Sequence, residues 1–95
     1  MIRAKVDRNH GEIVEAFRAC GWRVKSTAGL KGWCDLTCQR ACGGEVITLL
    51  IEVKGPKGKP TEAQMALQMA GWWIHTVRSV ADVQALCSGY RRRTA

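Results

Sequence analysis

The sequence predicts an α/β (α+β) fold in which helices flank a central mixed sheet. Three observations carry this. Ile13, Val14, Ala16, Phe17 and Cys20 recur at helical spacing. The run Val46–Ile51 is apolar apart from Thr48, the pattern of a strand covered on both faces. Glycines and prolines divide the remainder into lengths suited to short strands and helices.

Taken in order, residues 9–20 form a helix opened by Asn9 and stopped by Gly21. Trp22 to Lys25 alternates apolar and basic, so it is a strand with one exposed face. Ser26 to Gly32 is a loop, and Trp33 to Arg40 a second strand with Asp35 inside it. Cys42-Gly43-Gly44-Glu45 is a turn into a third strand, Val46 to Lys54, which lies centrally in the sheet. Gly55 to Pro60 is a basic loop. Thr61 then opens a helix carrying Met65, Leu67, Met69 and Ala70 and ending at Gly71. Trp72 to Val77 is a fourth strand, with one tryptophan expected in the core and the other under a helix or at a dimer interface. Ser79 caps a last helix through Cys87, and a basic, mobile tail follows from Tyr90. The order is α-β-β-β-α-β-α, and packing helices on a mixed sheet is its economical arrangement.

The 95 residues fit one small domain, 1–95, and a hydrophobic content of 46% argues against disorder. Fifteen Lys and Arg against eight Asp and Glu leave a net charge of +7, which points to a polyanionic partner, nucleic acid first. Five cysteines, an odd number, argue against a disulfide framework. Met1 to Lys5 leads into no apolar leader and no stretch is long enough to span a bilayer, so a cytoplasmic setting without membrane attachment is expected.

The chemistry concentrates in Asp35 and in Glu52-Val53-Lys54. Side chains alternate along a strand, so Glu52 and Lys54 share a face. With the Asp35 strand alongside in matching register, two carboxylates and an ammonium converge. Such hard oxygen ligands suit Mg²⁺ or Mn²⁺.

These residues resemble the PD-(D/E)XK nuclease superfamily and, within it, a stand-alone VRR-Nuc domain. The matching pieces are Glu12, Gly32-Trp33-Cys34-Asp35-Leu36, Ile51-Glu52-Val53-Lys54 and Pro60-Thr61-Glu62-Ala63-Gln64, so the resemblance spans Glu12 to about Leu86. Cys34 stands where the family usually has a proline. The resemblance implies a restriction-endonuclease-like core and a Mg²⁺/Mn²⁺-dependent DNA endonuclease. Its metal ligands are expected to be Asp35, Glu52 and the Val53 carbonyl, with Glu12 acting through water, and its catalytic residues Asp35, Glu52, Lys54, Glu12 and Gln64. Branched or four-way junction DNA is the implied substrate. Two symmetric cuts in such a junction imply a homodimer.

Two positions keep a second reading. Asn9-x-x-Glu12 and Thr61-x-x-Gln64 both have the spacing of a capping box. Lys31, Lys57, Lys59, Ser26, Arg91 and Arg92 are the expected DNA contacts, against plain solvation of loops and tail. Cys34, Cys38 and Cys42 invite zinc, but spaced along an extended strand they fit burial as small hydrophobes better. Two further function classes stand beside the enzyme: a non-catalytic basic DNA-binding module, and a small cysteine/zinc interaction protein.

Overall fold

The computed structural model describes residues 3–91 and, of these, the side chains of residues 9–90. Helix α1 (Arg3–Ala19) leads into β1 (Arg23–Ser26), β2 (Leu36–Cys42) and β3 (Glu45–Val53). Then come α2 (Glu62–Met69), β4 (Ile74–Val77) and α3 (Val80–Arg91). The strands lie in the order β1-β2-β3-β4. The first two pairings are antiparallel and β3–β4 is parallel, with α2 in the crossover. The expected element order and mixed sheet are both borne out.

Gly43 and Gly44 hold φ of 58° and 86°, the two positive values that a tight hairpin turn with the twist of its strands requires. That turn sets the β2–β3 register. At the end of α1 the Trp22 amide donates to the Phe17 carbonyl and the Gly21 amide to Arg18, closing the helix at the expected glycine.

Alternation then sorts the sheet into two faces. Leu36 and Cys38 of β2, Leu49, Ile51 and Val53 of β3, and Val77 of β4 face Ile13 and Phe17 of α1 and Val83 and Cys87 of α3. Fully burying one such aliphatic or aromatic side chain contributes about 1.5–3 kcal/mol, so this layer dominates the stability. Cys34 and Cys42 are buried as well, and burial pushes the Cys38 thiol up to about 12. The cysteines thus behave as small apolar residues. Among the described residues no three His, Cys, Asp or Glu side chains cluster as metal ligands.

The opposite face carries Leu50, Glu52 and Thr37, and its helix α2 contributes no buried residue. Val46, expected to be covered on this face, is exposed.

Several local expectations are corrected. Helix α1 begins well before Asn9, so Asn9 is an interior helical residue and the Asn9–Glu12 capping box does not form. Strand β2 starts at Leu36 and leaves Asp35 at its mouth rather than inside it. Strand β4 starts at Ile74, so neither tryptophan before it obeys strand alternation. Trp73 is 85% exposed, while Trp72 meets Trp33 edge to face with ring centroids 4.9 Å apart. Helix α3 runs to Arg91, and Tyr90, expected in a mobile tail, packs edge-on against buried Trp22. The Arg91 side chain and Arg92 lie outside the described residues. Among those described, no helix is long and apolar enough to cross a membrane.

Candidate active site

Strand pairing delivers the acidic residues to one another. The β2–β3 ladder pairs Leu36 with Ile51, and the same register carried one residue further sets Asp35 opposite Glu52. Two bonds fix this junction. The Asp35 amide donates to the Ile51 carbonyl at 3.0 Å, and the Val53 amide donates to Asp35 Oδ2 at 2.8 Å. Thr27 shapes the approach: its hydroxyl donates to the Cys34 carbonyl at 2.8 Å and its amide to the Asp35 carbonyl at 2.7 Å. Thr27 is therefore occupied with the chain bend and not with an outside ligand.

Glu52 is only 4% exposed. Its Oε2 accepts a hydrogen bond from Gln64 Nε2. The same Gln64 side chain accepts the Thr61 amide at 2.9 Å through Oε1, while Thr61 Oγ1 accepts the Gln64 amide at 3.2 Å. Gln64 thus forms the expected capping box of α2 and also hydrogen-bonds Glu52. Burial, then the adjacent Asp35 carboxyl by hydrogen bonding and by charge, push the Glu52 carboxyl up to about 8, against a smaller opposing pull from Lys54.

Lys54 follows on the same face. Its amide donates to the Val77 carbonyl at 3.0 Å and its carbonyl accepts Asn9 Nδ2 at 3.2 Å, so β4 and α1 both grip its backbone. Its side-chain stem lies against Gly58, where an added Cβ would stand 3.2 Å from Lys54 Cδ and 3.3 Å from its Cβ. The Gly58 amide donates to the Gly55 carbonyl at 3.1 Å, closing the turn that presses on the stem.

Glu52, Lys54, Gln64, Gln68, Thr76 and Arg78 line one cleft, with Asp35 across Glu52 on the β2 side. Val53 turns its side chain into the core, as alternation requires. Glu12 is exposed on α1, one turn beyond Asn9. Lys31, Lys57 and Lys59 are exposed on the loops before Asp35 and after Lys54, and Ser26 is exposed at the end of β1. Arg78 is the residue that the sequence reading missed. Its clue was a cation directly after an apolar strand, the position Lys54 also holds, but only the β3–β4 register brings the two together.

The donor set suits a hard divalent cation. Glu52 Oε1 is buried with no well-formed hydrogen bond, beside a second carboxylate that repels it once both are ionised. A cation held by Asp35 and Glu52 would answer both problems. Two adjacent carboxylates are the hard oxygen donors that Mg²⁺ takes.

No protein-family profile matches the sequence. No curated relative matches it either. Among solved structures the chain is similar to one described as "VRR_NUC domain", at 26% identity and a TM-score of 0.65, covering 88% of this chain and 95% of that one. The resemblance carried by Asp35, Glu52-Val53-Lys54 and Gln64 is therefore borne out at the level of the whole fold.

The Glu52 environment has a thermodynamic signature. Its carboxyl rises from an ordinary 4.5 to about 8, so folding keeps a proton that the unfolded chain releases. The stability this contributes is complete below about 4.5 and is lost as pH rises through about 8. In EDTA, the melting temperature of Glu52→Gln should therefore gain on wild type across that window and level off above it. A difference independent of pH would show that Glu52 is not held in this way.

Proposed function

We propose that this chain, which has the fold of a VRR-Nuc domain, is a Mg²⁺- or Mn²⁺-dependent DNA endonuclease. The likeness implies a nuclease-type function. The observation that supports the specific reading is the adjacency of Asp35 to buried Glu52 across the β2–β3 ladder, with Lys54 lining the same cleft as Glu52, in a basic chain.

Asp35 and Glu52 would hold the cation, the Val53 carbonyl would complete the ligand set that the family resemblance implies, and Glu12 would support it through water. Such an ion supplies Lewis-acid polarisation of the phosphate and makes a nearby water easier to deprotonate. The chain's own residues do the rest. Gln64 holds Oε2 of Glu52, which would leave Oε1 for the cation. The Val53 amide holds the Asp35 carboxylate in register. Lys54 orients the attacking water and offsets the charge that grows on the phosphate. Lys31, Lys57, Lys59 and Ser26 extend the contact along the DNA backbone, with Arg91 and Arg92 adding charge.

Hydrolysis of labelled DNA should require Mg²⁺ or Mn²⁺ and stop in EDTA. Asp35→Asn, Glu52→Gln and Lys54→Ala should each reduce the rate about a hundredfold or more while leaving DNA binding in place. Cutting that persists in EDTA, or a Lys54→Ala protein at wild-type rate, would overturn this mechanism.

Gly58→Ala tests how tightly Lys54 is held. Its backbone lies outside the left-handed region, so alanine presses on the Lys54 stem and otherwise makes only an ordinary contact with the Gly55 nitrogen at 3.5 Å. The melting temperature should stay near wild type while cleavage falls about tenfold or more, since small misplacements of a reacting group are costly. An unchanged rate would mean that the lysine needs no such support.

We further propose a homodimer acting on four-way junctions. Support comes from α2, none of whose residues is fully buried, and from Met69 at its end and Trp73 just beyond it, 89% and 85% exposed. A two-fold assembly covers that face and pairs two sites for symmetric incision. Sedimentation should give a dimer with and without junction DNA. A monomer in both states that cuts flaps faster than junctions would leave a nuclease and remove the resolvase.

A further inference from the structure

Arg78 occupies a position that the proposed chemistry leaves unassigned. The parallel β3–β4 ladder pairs Glu52 with Thr76 and Val53 with Val77. Continued one step, that register sets Arg78 beside Lys54, and alternation puts both on the Glu52 face. Both side chains line the same cleft. The face therefore presents an acidic row, Asp35 and Glu52, followed by a cationic row, Lys54 and Arg78.

The guanidinium is held but not neutralised. Its Nη1 donates to the Gly55 carbonyl at 2.7 Å, and its backbone amide donates to Asp82 Oδ2 at 2.8 Å. The only side-chain ion pair among the described residues joins Arg18 to Glu15, so no described carboxylate forms an ion pair with Arg78. A guanidinium has five N–H donors in a rigid fork, a geometry that matches phosphate oxygens. The Gly55 bond takes one and fixes the direction of the rest.

We propose that Arg78 binds a backbone phosphate of nucleic acid in this cleft, next to the one that Lys54 faces. The inference rests on the nuclease reading for the identity of the polyanion, yet it concerns binding and not the chemical step. Lys54 serves the reacting phosphate as a compact charge, and Arg78 fixes the neighbouring one with directed donors.

The test is binding of labelled duplex and four-way DNA in EDTA, titrated with salt, so that no cleavage intervenes. Arg78→Ala should weaken affinity about tenfold. It should also lower the slope of log K against log salt by about 0.9, the share of one phosphate contact. Arg78→Gln keeps a donor for the Gly55 carbonyl and loses the charge. It should fold as wild type and show the same reduced slope, which decides the matter if the alanine variant does not fold. Arg23→Ala, at the far edge of the sheet, removes equal charge and should change both quantities less. A slope in Arg78→Gln equal to wild type, or a loss no larger than in Arg23→Ala, would overturn the assignment. Wild-type protein that binds in this way but never cuts with Mg²⁺ would keep the Arg78 contact and remove the nuclease. Metal-dependent cutting with an unchanged Arg78→Gln slope would do the reverse.

Discussion

A carboxyl buried at the end of the central strand organises the functional half of this molecule. Glu52 sits between Asp35 on one side and Gln64 on the other, almost out of contact with water. Isolated burial of an ionised carboxylate is strongly unfavourable, so the group keeps a proton or gains a cation. Everything nearby is arranged around that choice. The Asp35 carboxylate is tied to the Val53 amide, the Gln64 amide covers Oε2, and Oε1 is left without a well-formed bond. This is an unfavourable arrangement for a purely structural strand end, where glutamine or threonine would serve better. It is an arrangement that the proposed divalent ion would relieve.

The apolar layer beneath makes that strain affordable. Ile51 and Val53 alternate with Glu52 and face the helices, so the same strand that exposes the site is anchored by α1 and α3. The parallel partner β4 contributes the second constraint. Its carbonyl at Val77 fixes the Lys54 backbone, and its next residue brings Arg78 to the cleft. Helix α2 plays a different part. It buries nothing and is tied in through its first turn, where one glutamine both caps the helix and touches Glu52. Helix capping and the proposed site thus meet in the Gln64 side chain.

Much of this was legible in the sequence because period and chemistry agreed. Alternation alone put Glu52 and Lys54 on one face and Val53 in the core. The Thr61–Gln64 spacing announced a capping box that does form. What stayed hidden depended on long-range pairing. Asn9 looks like a helix opener because asparagine is a good N-cap, yet its amide is used by the Lys54 carbonyl, forty-five residues away. Trp72 and Trp73 look like strand residues by composition, but a turn at Gly71 delays the strand to Ile74. Arg78 could not be placed without the β3–β4 register, which no local pattern encodes.

The central claim is that Asp35 and Glu52 together form a divalent-metal site. Titration calorimetry of Mn²⁺ into the DNA-free protein near pH 7.5 addresses it without any assay of cleavage. The account predicts saturable binding by wild type that weakens at least about tenfold in Asp35→Asn and in Glu52→Gln, the scale at which loss of metal-supporting groups is felt. Absence of binding by a folded wild-type protein, or equal binding by both variants, would contradict it.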